Sequence, residues 1–130
     1  MLSFLTNKHK GKNKIEMKIL LVDDEKALRD PLKFFLEEHG HEVLMANDGQ
    51  IAMQIIEKND DFDLIITDLQ MPIMDGLDLL RKIRSKNFRK WLISGRMDDE
   101  IESQAKRLGA EEGIFKPLII RKLKEKGIIK

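Results

Sequence analysis

The stretch DLIITDLQMPIMDG, residues 63–76, decides the fold. Leu64, Ile65 and Ile66 are apolar on consecutive positions, in a run too short for a helix. Such a run suits a strand covered on both faces, as in a parallel sheet. It ends abruptly in Thr67 and Asp68. Met71, Pro72 and Met74 then read as residues that shape and pack a loop, and Asp75-Gly76 as a turn leading into a helix. Leu77, Leu80 and Ile83 supply the apolar face of that helix. One strand, a polar strand end, a loop and one helix are therefore compressed into a single unit.

Working outward, the same unit recurs on both sides. Short apolar runs lie at Ile19–Val22, Val43–Ala46, Trp91–Ile93 and Ile114–Phe115. Between them the apolar spacing becomes helical: Leu28, Leu32, Phe35 and Leu36, ended by Gly40; Ala52, Ile55 and Ile56; Ile101, Ala105 and Leu108, ended by Gly109. After Pro117, Ile119 and Leu123 are four apart and Gly127 is a stop. Pro31 suits only an opening turn, so it delays or distorts the start of the first helix. Trp91 is expected on a strand near the surface. Five strands alternating with five helices predict an α/β fold, a doubly wound parallel sheet with right-handed crossovers. Fourteen residues follow Lys116, room for one short helix and a stub and for no second domain.

Composition narrows the function classes. The 130 residues are 42% hydrophobic, enough for a real core, and contain no cysteine. Disulfides, thiolate catalysis and cysteine-based metal centres are excluded, and no apolar run approaches the roughly 20 residues of a membrane span. The formal net charge of +1 hides a segregation. Residues 1–15 carry +4, residues 116–130 carry +5, and the body between them carries −8. Residues 1–16 read as a flexible basic arm, and the domain as 17–130. The lysines follow Leu2, Phe4 and Leu5 instead of preceding them, which is the wrong order for a signal peptide. A solvated tail is the plain reading of the arm; adhesion to an acidic partner, nucleic acid or an anionic membrane is the sharper one.

The polar residues cluster at the ends of the apolar runs. In open parallel sheets, ligands bind beyond the carboxyl ends of the strands. Here those ends carry Asp23-Asp24-Glu25, Thr67-Asp68, Ser94 and Lys116-Pro117. Three gathered carboxylates, Asp23, Asp24 and Asp68, repel one another. A hard divalent cation such as Mg²⁺ relieves that repulsion and leaves coordination positions for phosphoryl oxygens. One carboxylate partly free of the metal is a candidate nucleophile that forms an acyl phosphate. Ser94 would then donate a hydrogen bond to a phosphoryl oxygen and Lys116 would supply counter-charge.

At these residues the sequence resembles the receiver domains of two-component response regulators. The resemblance runs from about Lys18 to Lys126. It rests on KILLVDDE (18–25), Asn47-Asp48-Gly49, DLIITDLQMPIMDG (63–76), ISG (93–95) and FKP (115–117). It implies strand order 2-1-3-4-5 in a flavodoxin-like (βα)5 three-layer sandwich. It also implies a phosphoacceptor role for Asp68, with a phosphohistidine on a sensor histidine kinase or phosphotransfer protein as donor. Asp24, Asp68 and the backbone carbonyl of Gln70 would ligate Mg²⁺ (or Mn²⁺), and Asp23 would act through a metal-bound water. Ser94 would be the switch hydroxyl and Lys116 the phosphoryl counter-charge, with a cis peptide before Pro117. Such a chain would be a stand-alone cytoplasmic receiver. It would switch a downstream protein through the face of the fourth helix, fifth strand and fifth helix, with no nucleic-acid-binding domain and no turnover beyond its own phosphorylation and slow dephosphorylation.

Two features stand apart from the family pattern. Gly113 occupies the position, three before Lys116, where receivers commonly carry an aromatic residue that turns inward on activation. Arg96 and Gln70, each two residues past a site residue, lie where the family tunes the lifetime of the phosphoryl group. His39 and His41 flank Gly40 and read as solvated imidazoles at a helix end rather than as metal ligands. Arg121, Lys122, Lys124 and Lys126 read first as a solvated helix face. Other classes fit less well. A haloacid-dehalogenase-like phosphatase needs a second acid where Gln70 stands. An FMN binder needs a hydroxyl- and glycine-rich loop where Asp23-Asp24-Glu25 stands. A pseudo-receiver, binding partners without phosphorylation, remains the alternative.

Overall fold

The computed structural model describes residues 16–130. The basic arm expected over residues 1–16 lies outside this range except for Glu16. Five strands, β1 (Lys18–Val22), β2 (Glu42–Ala46), β3 (Leu64–Asp68), β4 (Arg89–Ser94) and β5 (Glu112–Phe115), alternate with five helices. The helices are α1 (Lys26–Glu38), α2 (Gly49–Lys58), α3 (Gly76–Lys82), α4 (Asp99–Arg107) and α5 (Ile119–Glu125). All strand pairs are parallel and the order is 2-1-3-4-5.

Alternation along the strands divides the core into two layers. Ile19, Leu21, Leu64, Ile66, Trp91 and Ile93 face α1 and α5, where Leu32, Leu36, Ile119 and Leu123 meet them. Leu20, Val22 and Ile65 face the other way, onto Ala52 and Ile56 of α2 and Leu79 of α3. Leu92 packs with Leu80 and Ala105, which seats α4 on that same side. Each fully buried aliphatic side chain contributes about 1.5–3 kcal/mol, so β1, β3 and β4, covered on both faces, are the rigid centre. Asp48, Asp75 and Asp98 cap α2, α3 and α4, each accepting a backbone N–H at 2.8 Å. Gly40 and Gly109 take positive φ just after α1 and α4, a conformation that costs a residue without Cβ almost nothing.

Four expectations need correction. Trp91 is fully buried: β4 is flanked by β3 and β5, and its indole Nε1 donates to Glu111 at 2.8 Å. His41 is buried as well. Its Nδ1 accepts the Met17 N–H at 3.0 Å and its Nε2 meets the Ile128 carbonyl at 2.7 Å, so it ties the start of β1 to the C-terminal segment. Pro31 lies inside α1, which starts at Lys26. Only the hydrogen bond to residue 27 is forfeited, close enough to the start for the helix to run through it. No cis peptide occurs among the described residues. Pro117 instead sits in the first positions of a single 3-10 turn, Lys116–Leu118, where its fixed φ suits a helical start.

Candidate functional site

The carboxyl ends of β1, β3, β4 and β5 converge on one edge of the sheet, as parallel pairing requires. Val22 is in register with Thr67, Asp68 with Ile93, and Ser94 with Phe115. Asp23 and Asp68 are buried, whereas Asp24 is exposed. Each of the three offers a carboxylate oxygen, and these oxygens all lie within 4.8 Å of one another.

Lys116 reaches across from the end of β5. Its ammonium stands 3.3 Å from Asp23 Oδ2, 3.3 Å from Asp68 Oδ1 and 3.0 Å from Glu25 Oε1. Burial alone would push this ammonium down, but the three carboxylates outweigh it and hold its pKa above the ordinary lysine value. Asp68 moves the other way for an acid. Burial, then the charge of Asp23, raise its pKa from 3.8 to about 6, against the opposing pull of Lys116 and of the Gln70 N–H that its carboxylate accepts. At neutral pH the Asp68 carboxyl is ionised, and it is the neighbouring Asp23 that lacks a hydrogen-bond partner at one oxygen. Asp23 Oδ1 accepts the Glu25 N–H at 2.8 Å, but Oδ2 accepts no hydrogen bond and has only the ion pair with Lys116.

That arrangement fits a hard divalent cation. Buried carboxylates need pairing, one lysine serves two buried acids, and the exposed Asp24 opens the cluster to solvent. The donor set is oxygen only, the preference of Mg²⁺.

Local geometry holds Asp68 in place. Thr67 Oγ donates to the Asp68 carbonyl at 3.0 Å, and a Cβ on Gly76 would sit 2.3 Å from that same oxygen, so only glycine fits there. Gln70 lines the depression beside Asp24 together with Leu69, Met71, Pro72 and Asp75. Ser94 is buried at the end of β4. Its Oγ accepts the Arg96 N–H at 3.0 Å, which leaves its own proton to donate.

A model of the response regulator receiver domain matches residues 19–127. The chain belongs to the response regulator receiver domain family. Solved receivers share its shape. A response regulator receiver protein from Pseudomonas putida is 30% identical, with a TM-score of 0.76 over 85% of this chain and 94% of that one. The response regulator protein TrrA from Thermotoga maritima, in complex with Mg²⁺-BeF, is 32% identical, with a TM-score of 0.74 over 85% and 95%. The Vibrio cholerae chemotaxis protein CheY4 is 26% identical, with a TM-score of 0.76 over 85% and 98%. As a receiver, the chain is a two-component signalling module, and no described helix is long and apolar enough to cross a membrane.

Within this receiver the structure brings Asp23, Asp24, Asp68 and Lys116 together, with Gln70 on the loop after β3 and Ser94 at the end of β4. Two residues escaped the sequence reading. Glu25 is by sequence only one more acid at a strand end, yet it is a direct partner of Lys116. Arg29 is buried in α1, and its Nη1 donates to the Asp23 carbonyl at 3.2 Å. A signal for it existed: Arg29 stands three and seven residues before Leu32 and Leu36, on the buried stripe. Gly113 also acquires a physical reading. A Cβ there would lie 3.2 Å from Glu102 Cα and 3.3 Å from Met97 Sδ, so α4 packs where an aromatic side chain would need room.

Proposed function

We propose that this receiver is a phosphoacceptor switch in which Asp68 takes a phosphoryl group from a phosphohistidine donor with Mg²⁺ at the acidic cluster. The observation that carries the reading is the Asp23–Asp68–Lys116 arrangement, two buried carboxylates bridged by one ammonium, with an Asp23 oxygen lacking any hydrogen bond. The domain runs from Met17 to Lys130.

Asp24, Asp68 and the Gln70 carbonyl would hold the ion, and Asp23 would act through a bound water; the cation would supply positive charge for phosphoryl oxygens. The chain's own residues do the rest. An Asp68 oxygen forms the new P–O bond as the donor's P–N bond breaks, and the imidazole leaves with the electron pair and takes up a proton. Burial keeps this carboxylate less stabilised than one in water, and ionised above pH about 6. Lys116 exchanges a carboxylate partner for a phosphoryl oxygen without leaving the pocket. Ser94, freed from the Arg96 N–H, donates to a phosphoryl oxygen and draws the loop after β4 with it. The face formed by α4, β5 and α5 then meets the downstream protein. That face is sutured by Lys122 and Lys126 on Glu112, at 3.4 and 3.0 Å. Gly113 removes the aromatic element from this switch.

Incubation with a small acyl phosphate and Mg²⁺, read by intact mass, tests the proposal. One phosphoryl adduct is expected on the native chain, with none on Asp68→Ala or in the presence of a chelator. An unmodified native chain would favour the phosphorylation-independent interaction module.

A further inference from the structure

We infer that Arg29, with Asn47 as its partner, is a positioning residue that sets the Mg²⁺ affinity of the acidic cluster, an inference that rests on the metal reading above. Arg29 lies in the second turn of α1 with its side chain 9% exposed. A guanidinium so deeply placed needs partners for its charge. Its Nη1 donates to the backbone carbonyl of Asp23 at 3.2 Å and to the side-chain oxygen of Asn47, and its Nε meets Asp30 Oδ1 at 3.3 Å.

These bonds converge on one peptide. The Asp23 N–H donates to the Ala46 carbonyl at 3.1 Å, and the Asp23 side chain accepts the Glu25 N–H through Oδ1. Arg29 captures the remaining backbone group, the Asp23 carbonyl, and anchors it to Asn47, the residue after β2. The first residue beyond β1 is thus fixed at its N–H, its carbonyl and one carboxylate oxygen. Only Oδ2 is left, aimed at Lys116. The carbonyl that Arg29 grips also begins the peptide leading to Asp24. Rotation of that peptide would swing the exposed carboxylate away from the other two. Arg29 touches no reacting atom and donates to no carboxylate of the cluster, so its influence passes through the backbone.

Loss of a residue that orients metal ligands from behind typically costs about 10–100-fold in metal affinity or activity, and because Arg29 touches no reacting atom its effect falls on affinity. The test is calorimetric titration of the full chain with Mg²⁺, for the native protein, Arg29→Gln, Arg29→Lys and Asn47→Ala. Each variant's melting temperature is taken in chelator, and its adduct rate with acyl phosphate at low and saturating Mg²⁺. Arg29→Gln is expected to weaken Mg²⁺ binding by about tenfold or more, with the adduct rate returning near the native value at saturating Mg²⁺. Asn47→Ala, which leaves the cation in place, should weaken binding less, and adding it to Arg29→Gln should cost little more. Arg29→Lys, which keeps charge but loses the fork, should fall between. Should Arg29→Gln not fold, the Asn47→Ala and Arg29→Lys affinities decide. Melting temperatures that fall while every Mg²⁺ affinity stays within about twofold of native would overturn the inference and leave Arg29 a stabilising staple. A native chain that binds no Mg²⁺ would instead overturn the metal reading itself.

Discussion

Replacing Asp68 by asparagine should stabilise the metal-free protein at neutral pH. Burial and the neighbouring Asp23 charge raise the Asp68 pKa from 3.8 to about 6. The native state therefore holds this proton more tightly than the unfolded chain does. Its stability then falls as pH climbs from about 4 to about 6, and the full penalty is present above that. At about 1.36 kcal/mol per decade the rise corresponds to about 3 kcal/mol. Asp24 beside it is exposed, and screening by water reduces the figure to about 1–2 kcal/mol. The ion pair with Lys116 is already included, since the lysine opposes the rise. Asparagine keeps the shape and removes the charge. Thermal melts in chelator should place Asp68→Asn about 3–8 °C above the native protein at pH 7.5. Near pH 4, where the native acid is itself protonated, the two should converge. A variant no more stable than native at pH 7.5, or an advantage unchanged at pH 4, would refute the electrostatic account of the site.

Three further perturbations probe the scaffold. Ile73 is exposed and holds φ at +73°, a conformation that costs a β-branched residue about 1–2 kcal/mol, so Ile73→Gly should raise the denaturant midpoint. His41→Ala strands the Met17 N–H and the Ile128 carbonyl, and chemical denaturation should record a loss of about 2–4 kcal/mol. Gly113→Ala drives a Cβ to 3.2 Å from the Glu102 backbone, and a loss of about 1–3 kcal/mol is expected in the same assay.

The sheet was legible because its signal is local and repeated. Leu64, Ile65 and Ile66 are apolar on consecutive positions, and burial on both faces of a parallel strand demands that. The polar residues closing each run then had one place to gather, since parallel strands put their carboxyl ends on one edge. Contacts made across long sequence separations were not legible. His41 looks like a helix-end imidazole until the C-terminal segment, 87 residues away, folds over it. Trp91 follows Arg89 and Lys90, which suggests a surface, but Lys90 is buried as well and donates to the Lys86 carbonyl at 2.6 Å. Glu25 read as one more acid in an acidic turn, since its bond to Lys116 spans 91 residues. Pro117 read as a cis junction by family resemblance, and the turn that follows β5 accommodates it in trans.

The central claim is that one carboxylate, Asp68, accepts the phosphoryl group. An aspartyl phosphate is an acyl phosphate, which borohydride reduces to homoserine. The native chain is therefore incubated with a small acyl phosphate and Mg²⁺, trapped with borohydride, digested and sequenced by mass spectrometry. The account predicts homoserine at position 68 alone, in the peptide that holds DLIITDLQMPIMDG, and no conversion at Asp23 or Asp24. Homoserine at either of those positions, or at none of the three, would contradict it.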